Sequence, residues 1–154
     1  MSDADRFAEC LHEQHGIDAD IEHFPAGTET AADAAAAIGC DRAQIASSIA
    51  LIADEMVVVV TSGANRVDTR KLATVRGVHT ARMATPDEVE ETLGYEVGGV
   101  PPFCHDTTVP VYLDETLTEY DAVWAAAGAP TAVFPIDPDD LLACADATAV
   151  DVVE

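Results

Sequence analysis

The chain has 154 residues, 49% of them hydrophobic, and carries 29 acidic against 7 basic side chains, a formal net charge of −22. Its length is enough to bury one core, and its apolar content excludes the disordered class that high charge alone suggests. Six of the basic residues are arginines, and Lys71 is the one lysine. We therefore expect a single domain over residues 1–154 that folds at molar salt, where a Debye length of about 3 Å screens the acids from one another.

Local sequence patterns exclude several further classes. No apolar run reaches the ~18–20 residues of a membrane span, and the acidic N-terminus does not fit a signal peptide, so we expect a cytoplasmic protein without a membrane partner. No basic stripe marks a nucleic-acid surface, although at molar salt this excludes little. The four cysteines lie far apart and form no C-x-x-C pair: Cys10, Cys40, Cys104 and Cys144. The sequence therefore predicts no disulfide, no metal site and no cofactor.

Helices and strands alternate irregularly along the chain. The sequence predicts, in chain order, a helix over 5–15, a strand over 20–24, a helix over 31–38, strands over 48–53 and 56–61, a helix over 69–75, a strand over 78–83, a helix over 86–93, strands over 109–113, 122–126 and 132–134, a helix over 138–144 and a strand over 148–153. Helices begin after caps such as Thr30 and Thr85 and end at glycines such as Gly39 and Gly94. Asp54 and Glu55 alone separate two β-rich runs, which indicates a hairpin. The mixture favours an α+β fold with a mixed sheet.

The loop over 98–105, with the sequence GGVPPFCH, is the segment that most suggests chemistry. Gly98 and Gly99 permit positive φ and let a ligand approach backbone N–H groups, and the two prolines stiffen the second half of the loop. Such a loop can present hydrogen-bond donors to an oxyanion or a phosphate. A tight turn that simply needs glycine explains the same residues, and both interpretations stay open.

Nucleophilic side chains have weaker support. Cys104 and His105 are adjacent, and adjacent residues of an extended chain point apart. Ser47 and Ser48 lack the G-x-S-x-G pattern of a serine hydrolase. Trp124 precedes a run of small residues, which suits either a packed core or the wall of a pocket. A small-molecule esterase therefore has no nucleophile constellation in this chain.

A series of short segments carries a family resemblance over about residues 28–150. The segments are TAA and AAAIG within 30–39, QIASS at 44–48, SGANRVD at 62–68, GYEVGGVPP at 94–102 and VWAAAG at 123–128. In this order and spacing they resemble the YbaK/EbsC family, whose domain is also inserted in bacterial prolyl-tRNA synthetases. The acidic composition fits a haloarchaeal-type member.

The resemblance implies both a fold and an activity. The implied fold is α+β, with a mixed, barrel-like β-sheet surrounded by helices. The implied activity is an aminoacyl-tRNA deacylase that hydrolyses the ester of mischarged tRNA in trans. Mischarged tRNA is the implied partner, with an aminoacyl-tRNA synthetase as a second one, and no cofactor is required.

The resemblance also implies site residues. Catalytic roles fall to Gly98, Gly99 and Ser47, and substrate-binding roles to Thr30, Ser48, Pro101, His105 and Gly128. In the implied mechanism the two glycine amides hold the oxyanion, Ser47 and His105 orient the substrate, and the ribose hydroxyl of the tRNA helps to position water.

Two positions depart from the family pattern. The family motif has lysine where Ser47 stands, and several members have serine where Ala126 stands. Lys71 matches its own family position on a separate helix, so it does not replace the missing amine. An alternative therefore stays open, in which the chain is a catalytically attenuated module that binds an aminoacyl or nucleotide end or a protein partner.

Overall fold

The computed structural model describes residues 2–28 and 30–154. Its elements, in chain order, are α1 (Asp3–His15), β1 (Glu22–His23), α2 (Ala31–Ile38), β2 (Ile45–Ala53), β3 (Glu55–Ser62), α3 (Thr69–Arg76), β4 (Arg82–Met83), α4 (Pro86–Leu93), β5 (Val111–Asp114), β6 (Val123–Ala126), β7 (Ala132–Ile136), α5 (Pro138–Ala145) and β8 (Thr148–Val150). Short 3₁₀ turns cover Arg42–Gln44 and Glu115–Glu119, which the sequence patterns did not indicate. Within the described part of the chain, no helix is long and apolar enough to cross a membrane.

The helix ends follow local signals. Thr30 caps α2 by accepting a hydrogen bond from the backbone N–H of Asp33, and Gly39 ends the helix in the left-handed conformation. At α4, Thr85 and Glu88 form a reciprocal capping box. Each such cap stabilises its helix by about 1 kcal/mol. The predicted bounds of these two helices are confirmed because caps act within one turn of chain.

The strands form one mixed sheet in the order β1-β7-β6-β2-β3-β5-β8, with β4 also paired to β2. β2 and β3 are the predicted antiparallel hairpin, which turns at Asp54 with a φ of 72°. The pairs β2–β6, β3–β5 and β5–β8 are parallel. The expected α+β class with a mixed sheet is therefore confirmed.

Both faces of the central strand β3 are covered. Val58 and Val60 belong to the main apolar cluster on one face, and Val57 and Val59 belong to a second cluster on the other. All four valines are fully buried. This explains why the strand reads as a continuous apolar run instead of alternating with polar residues.

The prediction of no disulfide is wrong. Cys10 of α1 and Cys104 of the glycine-proline loop are bonded, with their Cα atoms 6.2 Å apart and a sequence separation of 94. The rings of Phe7 and Phe103 pack beside the bond with centroids 5.6 Å apart. Sequence spacing missed the pair because the packing of α1 against the loop is what brings the two sulfurs together.

Candidate active site

The candidate site begins where two neighbouring strands separate. β6 pairs with β2 only at Ile45 and Ala46. Farther along the same edge of β2, β4 pairs with Leu51 and Ile52. Between these two pairings, the edge of β2 around Ser48 has no strand partner in the described part of the chain, and an opening lies there.

The backbone of Ser48 points into this opening. The carbonyl of Ile45 accepts from Gly63 on the β3 side, and the carbonyl of Ala50 accepts from Ala84 on the opposite side. Because successive backbone groups of a strand point to alternate edges, the N–H and C=O of Ser48 face the same side as those of Ala50. Ser48 thus offers a backbone donor and acceptor at the uncovered edge.

A cavity of about 260 Å³ fills the opening. Its walls are the first turn of α2, the residues of β2 at the uncovered edge, the loop around Gly98, and β6. Its lining residues are Thr28, Thr30, Ala31, Ala34, Ile45, Ala46, Ser47, Ser48, Ile49, Val97, Gly98, Val100, Trp124, Ala125, Ala126 and Val133. None of these described lining residues has a carboxyl, imidazole, thiol or amine group. The cavity is apolar with a few hydroxyls, the character of a small-ligand pocket.

The hydroxyl groups of the residues that line the cavity differ in their hydrogen bonding. Thr28 donates to the carbonyl of Pro130 at 3.0 Å, and the Thr30 hydroxyl accepts from the Asp33 N–H at 3.0 Å. The Ser48 hydroxyl is buried and has no hydrogen-bond partner among the residues that the structure describes. A buried hydroxyl without a partner costs roughly 1–3 kcal/mol, and such a group is expected where a ligand supplies the bond.

The two adjacent glycines have different positions. Gly98, with a φ of 91°, lines the cavity. Gly99 does not, and its N–H donates to the carbonyl of Glu96 at 3.0 Å. A Cβ on Gly99 would lie 2.8 Å from the backbone of Ala129. The tight-turn interpretation therefore describes Gly99, whereas Gly98 remains the candidate donor.

Comparison with known proteins identifies the family. Residues 25–144 match the family described as the aminoacyl-tRNA editing domain. The chain belongs to this family.

Individual relatives agree with the family assignment. This editing domain is 33% identical over 126 residues, or 79% of its length and 78% of the other chain, to the uncharacterized protein YwhH of Bacillus subtilis. It is 27% identical over 115 residues, or 73% of its length and 70% of the other chain, to EbsC of Enterococcus faecalis, whose name proposes a Cys-tRNA(Pro)/Cys-tRNA(Cys) deacylase. A crystal structure described as a candidate trans-editing enzyme for prolyl-tRNA synthetase superposes with a TM-score of 0.93 and 38% identity, covering 100% of this chain and 98% of that one.

The editing domain brings together four of the eight site residues predicted from sequence. Ser47, Ser48, Thr30 and Gly98 all line the cavity between β2 and β6. The other four lie elsewhere: Gly99, Pro101, His105 and Gly128.

Two of the other four, His105 and Gly128, lie close to α1. The imidazole Nε2 of His105 is 2.7 Å from the carbonyl of Pro101, and burial lowers the pKa of this histidine. His105 lines a separate cavity of about 540 Å³ together with the disulfide. A Cβ on Gly128 would lie 2.6 Å from the carbonyl of Asp3, so this glycine allows α1 to approach. Gly128, to which the resemblance gave a substrate-binding role, therefore lies outside the cavity between β2 and β6.

Lys71 lies away from the cavity between β2 and β6, whereas Trp124 is one of its lining residues. The Lys71 amine donates to Asp151 at 3.0 Å and to the carbonyl of Val153 at 2.7 Å, away from the editing domain's cavity. Trp124 lines the cavity, so it belongs to a pocket wall, one of the two interpretations that the sequence left open. Sequence reasoning missed Ala34 and Val97, since isolated apolar residues carry no signal that distinguishes a pocket wall from a core.

Proposed function

We propose that this editing domain is an aminoacyl-tRNA deacylase that hydrolyses the ester of a mischarged tRNA in trans. The observation that carries the proposal is the cavity between β2 and β6, in which Ser48 offers an unpartnered hydroxyl and an uncovered backbone edge. Its volume of about 260 Å³ suits a small aminoacyl group. Apolar walls with few polar groups favour binding of the acyl part, with orientation set by the hydroxyls.

The chemistry asked of this site is modest. Water adds to the ester carbonyl, a tetrahedral oxyanion forms, and the bond to the ribose oxygen breaks to give a free amino acid and a tRNA hydroxyl. The backbone N–H groups of Ser48 and Gly98 are the proposed oxyanion donors, and each such donor contributes ~2.7–4 kcal/mol to the transition state. We propose that the ribose hydroxyl of the tRNA helps to position the attacking water, and that the proton of this water passes to solvent or to the leaving ribose oxygen.

We also propose a cytoplasmic setting at molar salt, with tRNA(Pro) as the tRNA and prolyl-tRNA synthetase as a partner. The charge of −22 supports the high-salt setting. The names given to EbsC and to the trans-editing structure support tRNA(Pro).

The decisive experiment is a deacylation assay in molar KCl. The purified chain is incubated with tRNA(Pro) charged with each small amino acid and with proline, and loss of ester is followed. We expect hydrolysis of at least one mischarged species and not of Pro-tRNA(Pro). If every species stays intact although an aminoacyl end binds, the chain is a binding module instead.

Ser48→Ala tests the site itself. The variant keeps its melting temperature because the deleted hydroxyl has no partner in the free protein, and it loses roughly two- to tenfold in deacylation rate, the worth of one hydrogen bond. Thr74→Ala, which removes an exposed hydroxyl on α3, is the matched control and keeps full activity. Full activity of Ser48→Ala would show that this hydroxyl takes no part in deacylation.

A further inference from the structure

A second cavity, of about 220 Å³, adjoins the candidate active site. The two cavities share Ala31, Ser47 and Ile49 as lining residues. The second one is lined further by Thr61, Ser62, Gly63, Asn65, Arg66, Val67 and Met83. The two cavities are therefore neighbours that share part of their walls at Ser47.

Thr61 brings an unpartnered hydroxyl to the second cavity. Its residue is 3% exposed, and its Oγ1 has no hydrogen-bond partner among residues 2–28 and 30–154. Thr61 is the cross-strand partner of Ser47, so the two side chains lie on the same face of the hairpin. Ser47 and Thr61 are thus neighbouring residues of the second cavity's wall.

Arg66 brings a positive charge that no carboxylate neutralises in the described part of the chain. Four other cations are paired with carboxylates: Arg6, Lys71, Arg76 and Arg82. Arg66 makes no ion pair or side-chain hydrogen bond with the described residues. The carboxylate of the neighbouring Asp68 accepts hydrogen bonds from backbone N–H groups at the start of α3. Arg42 and Arg70 likewise have no carboxylate partner among the described residues, but of these three arginines only Arg66 lines the second cavity.

The turn that precedes Arg66 is held in place. The fully buried Asp114 accepts hydrogen bonds from the Ser62 N–H at 3.1 Å and the Asn65 side chain at 3.0 Å. A Cβ on Gly63 would lie 2.5 Å from the carbonyl of Arg42, so the turn packs closely against the segment that leads into β2. The Arg42 guanidinium donates to the Gly63 carbonyl at 3.2 Å and holds the turn to that segment.

We propose that the second cavity is an anion subsite for the phosphate of the nucleotide whose ester enters the candidate active site, held by Arg66 with the hydroxyls of Ser47 and Thr61. This inference rests on the proposed function. A guanidinium matches phosphate oxygens with two parallel hydrogen bonds, and a local cation is needed because the chain's net charge repels phosphate. Ile49, Val67 and Met83 offer apolar surface to the ribose or base.

The test compares adenosine with AMP, two ligands that differ by one phosphate, by calorimetric titration at the lowest KCl concentration that maintains the fold. We expect the wild type to prefer AMP by about three- to fivefold, the size of an exposed ion pair. Arg66→Gln abolishes this preference and leaves adenosine binding unchanged. Arg70→Gln removes an exposed arginine from α3 and is the matched control, which keeps the preference. Equal binding of the two ligands by the wild type overturns the proposal.

Thr61→Val tests the buried hydroxyl with little change of shape. We expect an unchanged or higher melting temperature, since the hydroxyl has no partner in the free protein, together with a weaker preference for AMP. A lower melting temperature with an unchanged preference would make Thr61 structural and overturn its role.

Two further outcomes separate this inference from the proposed function. Deacylation of a mischarged tRNA without any preference for AMP overturns the subsite and leaves the activity standing. A preference for AMP that depends on Arg66, in a chain that deacylates no tRNA, supports the subsite and overturns the activity. Uncharged tRNA with an intact 3′ end should displace AMP, and its failure to do so would assign the subsite to free nucleotides.

Discussion

Ser47 lines both cavities, and the resemblance to the YbaK/EbsC family places a lysine at this position. Ser47→Lys places an amine within reach of both the ester and the proposed phosphate subsite. A charge-assisted hydrogen bond contributes roughly 1.5–3 kcal/mol, so deacylation should rise by about ten- to a hundredfold if the bond forms in the transition state. Thr74→Lys adds the same charge to an exposed helix face and should leave the initial rate unchanged. A fast wild type that Ser47→Lys slows would demonstrate a mechanism independent of lysine.

Gly99 is a packing residue according to its contacts. Gly99→Ala places a Cβ 2.8 Å from the backbone of Ala129, and the turn between β6 and β7 must move. Overpacking of this kind lowers the free energy of unfolding by roughly 1–3 kcal/mol, measurable by denaturant titration. Val97→Ala, at an exposed position of the same loop, should change stability far less. Unchanged stability with lost deacylation would instead return the Gly99 amide to the substrate site.

At the scale of elements, the bond between Cys10 and Cys104 ties α1 to the loop that carries Gly98. A native disulfide typically contributes about 2–4 kcal/mol, so Cys10→Ser should lower the melting temperature markedly. A reductant should lower the melting temperature of the wild type and leave that of Cys10→Ser unchanged. Cys40→Ser, at a free cysteine, is the control. Indifference of the wild type to the reductant would show that the bond does not form in solution.

At the scale of the whole molecule, charge sets the conditions for stability. Within the described residues, arginine and lysine form ion pairs with five carboxylates, of 29 acids in the chain. The remaining acids repel one another, and salt screens that repulsion. We expect the melting temperature to rise between about 0.1 M and 2 M KCl, where the Debye length falls from ~10 Å to below ~3 Å. A neutral osmolyte at equal osmolarity controls for preferential exclusion, and a flat dependence on KCl would contradict the high-salt interpretation.

The sequence by itself determined the elements whose causes are local. Thr30, Thr85 and the glycines that end their helices mark the bounds of α2 and α4, because a cap acts through residues within one turn. The hairpin at Asp54 has the same kind of cause, since two β-rich runs leave room for nothing but a tight turn. The order of the short sequence motifs also indicated the family.

Only the tertiary structure decided which residues meet. The cavity exists because β6 leaves β2 after Ala46, and this separation depends on the packing of distant strands. Ser48 and Gly98 both line this cavity, whereas His105 lines the separate cavity beside the disulfide. The same holds for Arg66, because whether a carboxylate lies near this arginine depends on how distant segments of the chain pack. Spacing along a chain reports local geometry, whereas a site is a set of long-range contacts that only the packed sheet and helices create.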